Sequence, residues 1–596
     1  MNATSGNPFC TEELINALIE SGDLHGHPGH YRLMTTLERL VMPTNVRAVL
    51  TARIDRLPEA AKRLLQTAAV IGKEFSGPLL EAVADLPLSE QAGALERLKA
   101  GDFIYERALY PVFGYAFKHP LTQEVAYQSQ LQSRRAVVHA AVARALEVQA
   151  GDKLDERAAL LAHHCEEAGQ LLDAARWHQR AAEWSGLNDI NATLEHWLRV
   201  RELARQGGDE ADATALLALA CTRALPFGYR FGASRLAWAE IFAEGCEATR
   251  RTGNLTMLAM LNAVYGGVCG NNQPVVLDYV RYSAEGVRIA DRTGDIALQA
   301  ATRTYLTYGH FYCGQLLEAE RLADEVIAFA SDDPQLGAEL AGGSPLMCAR
   351  GVRLRTIGLM RDPAAALREY PLVRQAAIEA GYPEQALWAL GHEIELKCAL
   401  GKVDGIGALG QTALRLAENL GPTNGIIAAI GYCDALACAE DWCGLLETAN
   451  DALRLIRDHG ATRPREPRLL AHIGIAQLAL GNLKAAHAAA KEGVALMREY
   501  QNAFYPQGYA VFVRAQLALA ELAADITGTL DEYGALLTRT GSLVHEGELH
   551  ELRARLAERE GQESERVAAL ARAHDCYTRF GMSAQAARIE GLQALV

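Results

Sequence analysis

Apolar positions in this chain recur mostly at helical spacing. Leu14, Ile15, Leu18 and Ile19 share one face of a short helix predicted over Thr11–Ser21, which Gly22 ends. After a loop of mixed His, Gly and Pro, the pattern predicts helices over Val46–Arg56, Glu59–Ile71 and Pro78–Asp85. A fourth follows over Glu90–Ala100, behind Ser89 as its cap. The period then changes: Phe103-Ile-Tyr-Glu and Tyr115-Ala-Phe-Lys alternate as paired strands do, around a loop with Pro111 and Gly114. Helices followed by one hairpin suggest a winged-helix domain over residues 41–135. A helix from Gln123 through Val148 would join it to the remainder.

From about residue 136 to the C-terminus the pattern repeats, less regularly before residue 230 and after residue 540. Gly253 and Gly294 lie 41 residues apart, and Gly381, Gly421 and Gly460 follow one another at 40 and 39. The 87 residues between Gly294 and Gly381 hold two more units, parted near Ser331–Pro334. A second turn falls half-way through each unit, at Gly314, Gly401 and Gly481, with Asp441 in the equivalent place. Glycine suits a residue just past a helix end, where φ is positive. Each unit is therefore read as two helices of about 15–17 residues, close to four turns each. Within Leu470–Gly493, Gly474, Gly481 and Ala486 resemble the small-residue positions of tetratricopeptide repeats, which let paired helices approach closely. Each hairpin buries only part of its apolar face, and stacking completes the core.

Composition narrows the picture. At 596 residues the chain exceeds what one core usually organises, and 50% hydrophobic residues with 22% charged exclude disorder. Aromatics at 7% favour closely packed helices over sheet. The net charge of −15 sits almost wholly beyond residue 150, where 43 Lys and Arg face 57 Asp and Glu. That disfavours nucleic-acid binding by the repeats. Twelve scattered cysteines read as reduced thiols of a cytoplasmic protein, not a disulfide framework. The N-terminus MNATSGNPFCTEEL lacks a signal-peptide pattern. The longest uncharged run, Leu255–Leu277, has too short an apolar half to span a bilayer and is expected to be a buried helix.

Several segments together resemble a known family. GNPFCTEELINALIESG resembles a GNPFF-x-x-EL segment of STAND-class signalling ATPases. VMPTNVRAVLTARIDRLPEAAKRLLQTAAVIGKEF is similar to the stretch C-terminal to that segment in bacterial proteins that join a class III adenylate or guanylate cyclase, a STAND (AAA-like) ATPase and tetratricopeptide-like repeats. FKHPLTQEVAY, RRAVVHAAVARALE and the C-terminal GELHELRARLAEREG with HDCYTRFGMSAQAARIE continue the match. The resemblance implies a mainly α protein, with a winged-helix head followed by a tetratricopeptide-like α-solenoid. Residues 1–40 would be a remnant of the ATPase lid, 41–135 the winged helix and 136–596 the repeat array.

In that family the cyclase and the phosphate-binding loop precede the GNPF segment, whereas here Met1 lies five residues before it. No G-x-x-x-x-G-K-[ST] occurs: Gly72-Lys73 precedes Glu74, and Gly401-Lys402 precedes Val403. The expectation is the C-terminal portion of a larger architecture: a fragment, a mis-set start codon or a separated partner. It carries no catalytic domain and no cofactor of its own, and ATP or ADP enters only with an upstream ATPase domain. By the resemblance, Gly6 and Pro8 match the G-x-P motif that sets a proline against the nucleotide base. His119 falls where some relatives sense the terminal phosphate, or else it caps the strand–helix junction.

Other constellations fail on spacing. His25, His27 and His30 sit in a Gly/Pro loop; His545-Glu546 with His550 is not H-E-x-x-H; Cys433, Cys438 and Cys443 match no zinc or redox pattern. His163-His164-Cys165 lies in an apolar-periodic helix and is expected to pack. The candidate recognition helix Ser89–Ala100 is near neutral, with Glu90 and Glu96 against Arg97 and Lys99. The expected partner is a protein or peptide on the concave face of the array, with an ATPase–cyclase half in cis or trans. The alternatives are an ATPase-linked transcription regulator and a stand-alone scaffold.

Overall fold

The computed structural model describes residues 8–27, 30–34, 46–109, 112–186, 188–231, 238–272, 276–501, 503, 505–519 and 525–594. The chain divides into two compact units, residues 1–213 and 214–596.

The first unit opens with α1 (Pro8–Glu20) and a small antiparallel pair, β1 (Leu24–His25) and β2 (Arg32–Leu33). Then come α2 (Val46–Arg56), α3 (Glu59–Ile71), β3 (Glu74–Ser76), α4 (Gly77–Val83) and α5 (Leu88–Ala100). The segment closes with β4 (Ile104–Leu109) and β5 (Val112–Phe117). These strands form one antiparallel sheet in the order β3-β5-β4. Leu50, Ile54, Leu64, Leu65, Leu98 and Phe103 fill the core beneath it. The hairpin was legible from alternation; the three-residue β3 was too short to show a period. α5 starts two residues before its expected beginning. The carbonyl of Pro87 accepts from the amides of Glu90 and Gln91, so Ser89 lies inside the first turn and caps nothing.

One expected helix is two: α6 (Pro120–Gln128) and α7 (Gln132–Ala150). The apolar period runs through the break, but the side chains there bond elsewhere. Gln66 Nε2 donates to Ser129 Oγ at 2.9 Å, and Gln130 Nε2 donates to the Gln66 carbonyl at 2.9 Å. These bonds tie the break to α3 and end the helix. Val138, Val142 and Leu146 of α7 share a core with Val70, Leu79 and Val83 of the head. That shared core explains why α7 and the following α8 (Ala158–Glu167), α9 (Leu171–Ser185) and α10 (Ile190–Gln206) group with the head.

A buried cation fastens α1 to this unit. Arg53 of α2, 2% exposed, pairs with Glu13 and at 2.6 Å with Glu20, and donates to the Gly101 carbonyl at 2.7 Å. Its guanidinium stacks 4.7 Å from the Phe103 ring centre. Burial pushes the Glu13 carboxyl above its usual range against the pull of Arg53.

α11 (Ala211–Ala224) spans the division. The second unit continues with α12 (Phe227–Phe231), α13 (Trp238–Thr252), α14 (Leu255–Asn272), α15 (Leu277–Asp291), α16 (Ile296–Tyr312) and α17 (Leu316–Ala330). Next are α18 (Ala338–Ala341), α19 (Pro345–Met360), α20 (Pro363–Glu379), α21 (Pro383–Ala399), α22 (Ile406–Ala417), α23 (Pro422–Cys438) and α24 (Trp442–His459). The last are α25 (Glu466–Ala479), α26 (Leu483–Tyr500), α27 (Gln507–Leu519), α28 (Ile526–Thr540), α29 (Glu546–Glu560), α30 (Glu563–Arg579) and α31 (Ser583–Gln593).

Adjacent helices pair, and α14, α16, α19, α21, α23, α25, α27 and α29 also touch one another in turn, forming an inner row. At Gly474 an added Cβ would lie 2.9 Å from Val511 Cγ1 and 3.6 Å from the Ala486 carbonyl, the close approach its spacing predicted. The half-way turn expected at Asp441 is shifted by one. Glu440 takes the positive φ of 56°, and Asp441 caps α24 by accepting from the Gly444 amide. The uncharged run is α14, largely buried, and no described helix is long and apolar enough to cross a membrane.

Candidate functional site

The inner row of the second unit does not leave an open trough. Its far ends meet across the middle. The Val276 amide donates to the Tyr500 carbonyl at 3.5 Å and the Ala503 amide to the Tyr312 carbonyl at 3.4 Å. Arg465 Nη1 donates to Asn271 Oδ1 at 3.4 Å over 194 residues of sequence. On another side Arg230 of α12 pairs with Glu384 of α21 at 2.8 Å, and both are buried. Between these contacts lies a cavity of about 100 Å³, walled by α14, α16, α19, α21, α23 and the start of α25.

Tyr305, Tyr308 and Phe311 of α16 and Trp388 of α21 supply aromatic walls. The Tyr305 hydroxyl donates to the Ala341 carbonyl at 3.0 Å, and Trp388 Nε1 donates to Asn424 Oδ1 at 2.9 Å. Asn424 in turn donates to Glu384 at 2.7 Å, so the Tyr305 and Trp388 rings are each held by a polar partner. Tyr308 packs edge-on to Trp388, ring centres 5.6 Å apart.

Charge enters from α19 and α25. Arg355 pairs with Glu395 at 2.8 Å; Arg468 reaches the same carboxylate at 3.5 Å and also pairs with Asp434. His472 Nε2 lies 2.8 Å from Asp434 Oδ1. Burial acts to raise the Asp434 carboxyl, but Arg468 and His472 outweigh it and hold it below its usual range. His392, on the cavity wall, is pushed well below the ordinary histidine value by burial and then by Arg355, Arg468 and Arg465. It is neutral at physiological pH.

The sequence-predicted residues fall elsewhere. Gly6 lies outside the described residues, and Pro8 opens α1. His119 takes the N-cap position of α6 with no capping bond from its side chain and is half-buried. His27 and His30 stack edge to face at 5.0 Å. No group of three His, Cys, Asp or Glu side chains is placed to hold a metal among the described residues. His164 and Cys165 are buried as expected. Lys99 of α5 is paired with Glu96 at 2.5 Å and Glu106 at 2.6 Å. The cavity itself was missed. Its walls come from helices of distant repeats, five residues from α16 and four each from α21 and α23, and the local signal in the sequence was the arginine cluster of Arg463, Arg465 and Arg468.

No family model matches the chain. It is 29% identical over 188 residues to the uncharacterized protein R02095 of Rhizobium meliloti (strain 1021), a match spanning 30% of this chain and 18% of that protein. Among solved structures, it is similar to the STAND protein with a tetratricopeptide repeat sensor, PH0952, from Pyrococcus horikoshii. That similarity has 12% identity over 92% of this chain and 70% of the other, with a TM-score of 0.35. A Rap protein complexed with Competence and Sporulation Factor matches at 13% identity over 70% of this chain and 99% of its own, TM-score 0.35. Yeast Tom70 matches at 11% over 78% and 94%, TM-score 0.31. TM-scores of 0.35 and below establish no shared fold.

Proposed function

We propose that this chain is the regulatory, ligand-receiving portion of a cyclase–STAND ATPase signalling system, with no catalytic step of its own. In this reading the tetratricopeptide-like array binds a protein segment, peptide or smaller ligand on its inner face, and the head relays occupancy to an ATPase–cyclase half in cis or trans. The observation that carries it is the closure of the inner row around a cavity to which at least five helices contribute walls. A ligand there touches repeats far apart in sequence, so it favours one arrangement of the array over another by its differential affinity. The order α2-α3-β3-α4-α5-β4-β5, with sheet order β3-β5-β4, supports the winged-helix reading of the head. The pairing of Lys99 with two glutamates supports a packing role for that head over DNA binding.

The test uses the full chain and its Gly391→Leu variant. An added Cβ at Gly391, on the cavity wall, meets nothing within 4 Å, so a larger side chain starts there without a clash at its Cβ and leucine is chosen to reduce the void. Pools of short peptides and of small metabolites are screened by thermal stability. At least one pool is expected to raise the melting temperature of the parent by about 2–4 °C and leave the variant unmoved. Equal shifts in both proteins, no shift in either, or cyclase or ATPase turnover above a mock preparation would contradict the proposal.

A further inference from the structure

Charge is distributed unevenly around the cavity. Arg355, Arg465 and Arg468 line it, and among the described residues no Asp or Glu does. The carboxylates of Glu395 and Asp434 that pair with two of these arginines are not among the lining residues. Each guanidinium carbon lies over a ring: that of Arg355 over Phe311 at 4.6 Å from the ring centre, that of Arg465 over Tyr312 at 5.3 Å and that of Arg468 over Tyr505 at 4.7 Å. Stacking of this kind fixes the planar fork that recognises carboxylates. All this lies within a chain of net charge −15, so the local excess of cations is not a sample of its average composition.

Two polar atoms on the wall lack a partner. Arg468 is 5% exposed, and its Nε makes no hydrogen bond; neither does His392 Nδ1. The Arg468 Nε is a buried donor, and one left unsatisfied costs about 1–3 kcal/mol, which a ligand acceptor reaching it would restore; the Nδ1 of neutral His392, whose N–H bonds the Gly351 backbone, is an acceptor.

Glycine adds a third observation. Most mid-helix glycines of the array are needed for close packing: an added Cβ would lie 2.4 Å from Ser283 Oγ at Gly266 and 2.7 Å from Leu396 Cδ2 at Gly358. Gly391 has no such neighbour, although glycine inside a helix costs about 1 kcal/mol against alanine. Gly351, Gly407 and Gly425 have equally open space at their Cβ positions, but of these four glycines Gly391 is the one on the cavity wall. A void of about 100 Å³ is of the order that accepts a single aromatic ring. That is too small for a helix.

Resting on the reading of the array as a ligand-receiving module, we infer that the cavity binds a small organic acid: one carboxylate on one ring-sized apolar group. The carboxylate accepts from the guanidinium of Arg468, flanked by Arg355 and Arg465. The ring packs against the wall formed by Tyr308 and Trp388.

The experiment titrates the full chain with matched pairs, following Trp fluorescence and calorimetric heat. The probes are phenylacetate with phenylacetamide, indole-3-acetate with indole-3-acetamide, and a tripeptide ending in Phe as its free acid and its amide. The acids are expected to bind at least tenfold tighter than their amides, and Gly391→Leu is expected to abolish that binding. Amides binding as well as acids would overturn the assignment of a carboxylate, as would amines or neutral compounds being the only ligands. Both results would leave the ligand-receiving reading standing. A free-acid tripeptide binding more tightly than the small acids would overturn the small-molecule assignment. Absence of binding by every probe would overturn the inference, whereas the reading beneath it fails only if the wider pools also give nothing.

Discussion

His139 and His164 meet in the first unit through their Nδ1 atoms, 2.9 Å apart, while the Tyr127 hydroxyl lies 3.0 Å from His139 Nε2. Burial pushes His139 down to about 4 and, with the charge of its neighbour, His164 down to about 3. Both values lie below the unfolded value of about 6.5, so the unfolded chain binds protons first as the pH drops. The stability these residues contribute is complete above about pH 6.5 and declines as the pH falls towards 4 and 3. His164→Asn keeps a hydrogen-bonding atom near Nδ1 and cannot titrate. It is predicted to lose less stability than the parent between pH 6.5 and 4, by on the order of 1–3 kcal/mol in urea unfolding. Identical acid sensitivity in the two proteins would contradict this assignment. The packing of His164 was legible from its apolar-periodic helix, although His163 of the same run is exposed; the contact with His139 was not, because it joins α7 to α8 across a turn.

At the scale of elements, α21 and α23 come together at their C-terminal ends, where the Cys398 and Cys438 sulfurs lie 2.8 Å apart without a disulfide. The shared S–H···S contact and then burial push the Cys398 thiol up, and the same contact eases ionisation of Cys438. Diamide is predicted to oxidise this pair ahead of the other cysteines, the two thiols losing two hydrogens to the reagent. Peptide mapping would show a Cys398–Cys438 crosslink and the loss of two titratable thiols; a different crosslink, or none, would refute it. Helix ends were the most readable feature of this array. Gly253, Gly294, Gly381 and Gly460 all take positive φ where their spacing placed turns. The failures have physical causes: the break between α6 and α7 is set by bonds to Gln66 of a distant helix, and α5 begins where Pro87 orients the chain. Neither leaves a trace in periodicity.

Across the second unit as a whole, the repeat period predicted hairpins but not how tightly their inner row closes. Closure depends on residues such as Val276 and Tyr500, or Arg230 and Glu384, which no local pattern links. It converts a concave surface suited to a protein segment into one whose centre admits a ring-sized group. On this account the array is a receptor whose ligand bridges distant repeats. Hydrogen exchange on the full chain, with and without a bound acid, reads that bridging out segment by segment. Added protection is predicted together in Ile296–Tyr312, Pro345–Met360, Pro383–Ala399 and Glu466–Ala479, and its loss is predicted in Gly391→Leu. Protection confined to the outer helices, or to the first unit alone, would contradict it.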